Sequence, residues 1–143
     1  MRYDLTAIED YCRAEGLRFE RSSPDEVRVL ICQDAQLCFS NTDGGADTYL
    51  GFTDSAWHSH GELMLMNGPD TYVELGPVEV LAGLKTGELL IAIRYMDGEF
   101  RDRWIFHRLE KQDFQYFETG ESIRIQRADP VGAHNTGAAP RRV

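Results

Sequence analysis

The chain has 143 residues, of which 42% are hydrophobic and 27% are charged, values typical of a globular domain rather than a disordered chain. Its net charge of −9 argues against nucleic-acid binding, which needs a basic surface to neutralise phosphates. No run of about 18 apolar residues is present, so no membrane-spanning helix is expected. The N-terminus also lacks the apolar segment of a secretory signal, and a cytoplasmic protein is therefore expected.

The three cysteines, Cys12, Cys32 and Cys38, are odd in number, have no paired spacing and lie among apolar neighbours. This usage predicts small buried hydrophobic side chains rather than disulfides or a metal site. Neither a Gly-x-Gly-x-x-Gly sequence nor a Walker loop occurs, and the sequence predicts no cofactor.

The first third of the chain predicts one helix followed by strands. Thr6-Ala7-Ile8-Glu9 has the form of a capping box, after which a helix is expected to run until Gly16. The β-branched and apolar residues that follow predict strands at 18–22, 27–31, 37–40 and 49–53.

The middle of the chain predicts two more strands and a second helix. The strands are expected at 62–66 and 71–75, on either side of the turn sequence Asn67-Gly68-Pro69-Asp70. Pro77 suits the first position of a helix, and Gly87 is placed to end that helix. Residues 109–117 have weak helical periodicity, and residues 122–127 alternate in polarity as a strand with one solvated face does.

The strongest single prediction is a β-hairpin between residues 89–95 and 100–106. Asp97-Gly98 between two β-prone runs is typical of a type I′ turn, which needs positive φ at both central positions. In the simplest register Tyr95 lies opposite Phe100, and two further pairs share the same core face. Those pairs are Ile91 with Trp104 and Leu89 with Phe106.

Strands outnumber helices and follow one another like hairpins, so an α+β fold is expected. Its mainly antiparallel sheet would have about six strands, with the 89–95/100–106 hairpin at its centre and one to three short helices packed on it. Residues 1–127 are expected to form one domain. Residues 128–143, which are rich in Ala, Gly and Pro, are expected to be a disordered tail.

Two acidic loops are candidate binding segments. Asp43 and Asp47 lie in a loop that fails the calcium-loop pattern, since glycine and phenylalanine stand at Gly45 and Phe52 where the pattern needs oxygen ligands. Asp54 and Trp57 come from the next loop, the tryptophan as an apolar anchor.

Arg94 and Arg101 face one another in the simple register of the hairpin, forming a small basic cluster that could contact an anion or an acidic segment. Neutralisation by neighbouring carboxylates is the alternative that this register leaves open.

The stretch from Trp57 to Glu62 is the one candidate for chemistry. His58, His60 and Glu62 alternate along an extended chain, so their side chains share one side, and His107 could supply a fourth metal ligand. The competing interpretation is that these histidines are hydrogen-bonded at a sheet edge. No downstream Pro-Cys-x-x-Cys or other ligand motif accompanies the stretch.

These features favour a binding protein over an enzyme. The expected function is that of a small acidic cytoplasmic protein, of bacterial type, which engages a basic protein partner as an immunity protein or an adaptor does. The first alternative is a metal-assisted hydrolase or lyase that uses the Trp57–Glu62 stretch. A stress or scaffold protein without a dedicated ligand is the second.

Overall fold

The structure is a computed structural model, and it describes residues 2–110, 118–129 and 141–142. Two α-helices, one 3₁₀ turn and eleven strands form in these residues. In chain order they are α1 (Leu5–Glu15), β1 (Phe19–Ser23), β2 (Glu26–Cys32), β3 (Ala35–Thr42), the turn Asp43–Gly45, β4 (Asp47–Phe52), β5 (His58–Ser59), β6 (Leu63–Gly68), β7 (Thr71–Leu75), α2 (Pro77–Thr86), β8 (Leu89–Met96), β9 (Glu99–His107), β10 (Glu121–Gln126) and β11 (Arg141–Arg142).

The predicted α+β class with antiparallel pairing is confirmed, but the single sheet of about six strands is wrong. The described strands form three sheets: β1-β2-β3-β4-β5, β11-β10-β8-β9 and the separate ribbon β6-β7. The 89–95/100–106 hairpin lies in the four-stranded sheet. The chain leaves the five-stranded sheet after β5, and β6 pairs only with β7 among the described strands, so the strands are divided among separate sheets.

Both helices begin and end close to the predicted residues. Asp4 is the N-cap of α1 instead of Thr6, and its Oδ1 accepts the Ala7 N–H at 3.0 Å. Gly16 ends α1 and Gly87 ends α2, as predicted, and both adopt the left-handed conformation. Neither of the described helices has the length and apolar character to cross a membrane.

The predicted hairpin forms, but its register changes after the first two pairs. Asp97 and Gly98 both have positive φ, and Tyr95 lies opposite Phe100 as expected. A β-bulge at Arg101 then shifts the pairing by one residue. Ala92 therefore faces Trp104, and Leu89 faces His107 rather than Phe106. A shift of one residue moves side chains to the opposite face, so Trp104 does not share the core face of Tyr95.

As a result, the four-stranded sheet carries apolar side chains on both faces. Its inner face joins the main core, which also contains the inner face of the five-stranded sheet and both helices. Its outer face carries a smaller cluster in which Phe106 and Ile123 are buried and Trp104 packs partly exposed. In the last predicted strand, β10, Ile123 and Ile125 therefore belong to this smaller cluster, whereas Arg124 and Gln126 lie opposite Ile93 and Ile91 of the main core.

Two predicted segments fall largely outside the described residues. The weak helix at 109–117 is described only at Leu109 and Glu110. Of the predicted tail 128–143, the structure describes residues 128–129 and 141–142. There Ala128 is 7% exposed within the main core, and Arg141–Arg142 pair with β10.

Candidate protein-binding surface

The negative charge of the protein is concentrated in one part of the chain. Residues 29–84 contain eight aspartates and glutamates and neither lysine nor arginine, so nearly all of the net charge of −9 comes from this segment. In the rest of the chain the acidic and basic residues nearly balance. This signal is present in the sequence, but the total charge alone does not reveal it.

Ion pairs reinforce the contrast between the two parts. Outside the segment 29–84, carboxylates pair with arginine or lysine across the described surface, as in Arg21 with Glu9 at 2.7 Å and Lys85 with Glu15 at 2.5 Å. Within the segment, only Asp34 and Asp54 form described ion pairs with arginine or lysine, and both do so through Arg103, while the Arg2 guanidinium lies against Gly45 in the loop that carries Asp43.

We define the acidic face as Asp43, Asp47, Glu62 and Glu74, which are all exposed. None of the ion pairs to Lys or Arg among the described residues involves any of them. Like charges without counter-ions repel one another, which makes such a surface more stable when an opposite charge docks on it.

Local hydrogen bonds hold together the part of the acidic face that contains Asp47 and Glu62. The Gly61 N–H donates to Thr48 Oγ1 at 2.6 Å, and Tyr3 Oη donates to the Gly61 carbonyl at 2.5 Å. Burial raises the pKa of Tyr3 above its ordinary value. These bonds fix residue 61 beside the start of β4, and they therefore place Glu62 near Asp47.

The β6–β7 ribbon carries Glu74, the remaining part of the acidic face. Leu63 and Leu65 are buried on its inner face, so the alternating residues between them point outward. Met64 lies opposite Glu74, and Met66 lies opposite Tyr72. Met64 is 57% exposed and Tyr72 is 60% exposed. The outer face of the ribbon thus combines exposed apolar side chains with a carboxylate, the composition found where proteins dock.

Asp54 contacts the interior instead of the acidic face. Its Oδ2 accepts a hydrogen bond from Arg103 Nη2 at 2.9 Å, and Arg103 is 4% exposed. The guanidinium lies 4.7 Å from the ring centre of Phe100, and Ser55 Oγ donates to the Arg103 carbonyl at 2.9 Å. Arg103 therefore ties the loop after β4 to the four-stranded sheet.

Trp57, the predicted anchor, is partly buried against Phe52, with their ring centres 6.1 Å apart. It packs on the main core and leaves only part of its ring to solvent.

Arg94 and Arg101 are not brought face to face. Arg94 lies opposite Asp102 because of the bulge, and its Nη1 is 3.9 Å from a Glu121 carboxylate oxygen. Arg101 is the exposed extra residue of the bulge. The predicted facing pair is therefore wrong, and the alternative of neutralisation by carboxylates describes Arg94.

Among the four candidate metal ligands, His58 and His60 lie together. Their ring centres are 5.0 Å apart, and His58 stacks on Tyr49 at the same separation. His107 is 7% exposed on β9, where its Nδ1 accepts the Leu109 N–H at 3.1 Å. In the described parts of the chain, no group of three or more His, Cys, Asp and Glu side chains is placed to hold a metal ion.

The cysteines are buried and free, which confirms their predicted place in the core. Burial raises the pKa of each thiol to about 11. A thiol of this kind is a poor nucleophile at neutral pH.

Comparison with protein-family models, with curated proteins and with solved structures finds no match in any of the three. The interpretation of this surface therefore depends on its own geometry and charge.

Proposed function

We propose that this protein is a non-enzymatic binding protein whose acidic face engages a basic protein partner in the bacterial cytoplasm, in the manner of an immunity protein or an adaptor. One observation carries the proposal. The exposed carboxylates Asp43, Asp47, Glu62 and Glu74 form no described ion pair with lysine or arginine, and Glu74 lies opposite the exposed Met64 on the β6–β7 ribbon.

The carboxylates and the apolar side chains of this surface would contribute to different steps of binding. Unneutralised carboxylates attract a basic partner over a distance of about a Debye length and orient it, which raises the association rate. Met64 and Tyr72 then lose solvent on contact, and such apolar and aromatic groups commonly provide most of the affinity of an interface. The carboxylates would thus determine which partner associates, and the apolar side chains of the ribbon would provide most of the affinity.

The alternative of a metal-assisted hydrolase has less support. Catalytic zinc sites use three protein ligands and leave one position open to water. The described residues bring two imidazoles together, and neither Glu62 nor His107 joins them in a group of three.

Affinity capture with matched variants tests the proposed function. The face variant combines Asp43→Asn, Asp47→Asn, Glu62→Gln and Glu74→Gln. The control variant combines Glu20→Gln, Asp97→Asn, Glu99→Gln and Glu118→Gln, which are exposed acids elsewhere. Each variant changes the net charge from −9 to −5.

A basic protein is expected to co-purify with the wild type and with the control variant at low salt, and to be lost with the face variant. A third variant, Met64→Thr with Tyr72→Thr, should weaken capture without changing its dependence on salt, because it removes apolar contacts and no charge. Equal capture by the face and control variants would contradict the proposal: equal loss would mean that net charge alone governs binding, and equal retention that the partner binds other residues.

A further inference from the structure

Two exposed histidines at the edge of the five-stranded sheet form an arrangement that the binding function does not use. His58 lies on β5, opposite Gly51 of β4, and His60 follows two residues later. A Cβ atom at Gly51 would lie 2.9 Å from the Trp57 carbonyl oxygen and 3.0 Å from His58 Cβ. The absence of a side chain at Gly51 therefore lets the short strand β5 approach β4. This close pairing positions the backbone that carries both rings.

Each ring is oriented by a backbone carbonyl. His58 Nδ1 lies 2.9 Å from the Ala56 carbonyl oxygen, and His60 Nδ1 lies 2.5 Å from that of Thr48. A carbonyl only accepts, so in both rings Nδ1 carries the donated proton and Nε2 keeps its lone pair. A backbone carbonyl on the second ring nitrogen is the arrangement that orients metal-binding histidines, and it also raises their basicity as ligands.

The distance between the His58 and His60 ring centres agrees with that of two imidazoles bound to one metal ion. Two imidazoles that share one metal ion, with metal–nitrogen distances of about 2.0–2.1 Å and a near-tetrahedral or right-angled arrangement, place their ring centres roughly 5 Å apart. The observed separation is 5.0 Å, with the ring planes at 88°.

The surroundings favour a cation. Asp47 Oδ2 lies 3.4 Å from His60 Nδ1, on the side of the ring away from the free lone pair. Asp47 and Glu62 belong to the acidic face, and their charge raises the local concentration of cations. Tyr49 stacks against His58 with an interplanar angle of 13°, which limits rotation of that ring.

We propose that His58 and His60 form a two-imidazole site for a late divalent transition metal through their Nε2 atoms, with water completing the coordination. By ligand type and the order of metal affinities, Cu²⁺ should bind most tightly, Ni²⁺ and Zn²⁺ should bind more weakly, and Mg²⁺ and Ca²⁺ should not bind. The proposal of this site does not rest on the proposed binding function.

Titration calorimetry of the tag-free protein with Cu²⁺ tests the site. One Cu²⁺ per chain is expected for the wild type. His58→Gln and His60→Gln should each weaken binding by about a hundredfold, because either change removes the advantage of a second, preplaced ligand. The same substitution at His107, which lies on β9 apart from the pair, is the matched control and should leave the affinity unchanged. The double variant His58→Gln/His60→Gln measures Cu²⁺ binding to the rest of the protein.

Pulsed electron paramagnetic resonance of the Cu²⁺-loaded protein gives a second measurement that fold stability does not affect. Two coordinated imidazoles are expected in the wild type and in the His107→Gln variant, and one in His58→Gln and in His60→Gln. Circular dichroism confirms that the variants fold. Wild-type binding no tighter than that of the double variant, or a spectrum with fewer than two imidazoles, would overturn the proposal.

Discussion

Arg103 shows how a single side chain joins two parts of the molecule. Its guanidinium is buried between the four-stranded sheet and the loop after β4, with Asp54 as its close partner at 2.9 Å and Asp34 farther away at 3.9 Å. Two of its nitrogens, Nε and Nη1, have no hydrogen-bond partner among the described residues. A buried cation with so few partners depends strongly on the carboxylate that it has.

Asp54→Asn should therefore lower the free energy of unfolding by about 1–3 kcal/mol, because it leaves the Arg103 charge buried without its compensating carboxylate. The matched control is Asp25→Asn, which removes the exposed ion pair to Arg2 at 3.6 Å and should change stability by less than about 0.5 kcal/mol. Urea denaturation measures both changes. Equal effects for the two variants would contradict the role assigned to Arg103.

The three thiols allow a test of the core at the same scale. With each pKa raised from 9.0 to about 11 by burial, only about one thiol in a thousand is ionised at pH 8, and labelling by iodoacetamide should be slow until the protein unfolds. Between pH 9 and 11 the unfolded chain releases thiol protons that the folded chain keeps. The free energy of unfolding should therefore fall across this window.

Mass spectrometry of alkylated protein, with and without urea, checks the labelling. Rapid modification of Cys12, Cys32 or Cys38 in the native protein at pH 8 would show that the modified residue is accessible.

At the scale of elements, the β8–β9 hairpin depends on its turn. Gly98 has φ of 82°, and the space that its missing Cβ would occupy is open, so only backbone strain opposes a side chain there. Gly98→Ala should cost about 1 kcal/mol, and Gly98→Asn should cost less because asparagine tolerates the left-handed region. Urea denaturation distinguishes them, and a larger loss for asparagine than for alanine would contradict this account of the turn.

The same hairpin shows where prediction from sequence succeeds and fails. Asp97-Gly98 predicts the turn because few residues adopt positive φ. The bulge at Arg101 has no comparable turn motif, and only the charged Asp102, between the aromatic residues Phe100 and Trp104 on the face that the simple register buries, conflicts with that register. The bulge brings Arg94 opposite Asp102 instead of a like charge, and it turns Arg103 inward toward Asp54. Its favourable contacts are tertiary, and a single strand does not reveal them.

At the scale of the whole molecule, nearly all of the net negative charge lies in residues 29–84. The sequence predicts an acidic protein from its total charge, but the acidic face requires the position of each carboxylate and of its partners. Asp43 and Asp47 were identifiable as exposed loop residues. Glu74, Met64 and Tyr72 were not, because their outward direction depends on the pairing of β6 with β7 and on the burial of Leu63 and Leu65.

The most direct test of this account measures association rates between the captured basic partner and three proteins: the wild type, the face variant and the control variant. Stopped-flow mixing at ionic strengths from about 0.05 to 0.5 M covers the range in which screening removes long-range attraction. The wild type and the control variant should lose about tenfold or more in association rate over this range, and the face variant should associate slowly at every ionic strength. A face variant that retains the wild-type rate and salt dependence would contradict the proposal that these four carboxylates form the binding surface.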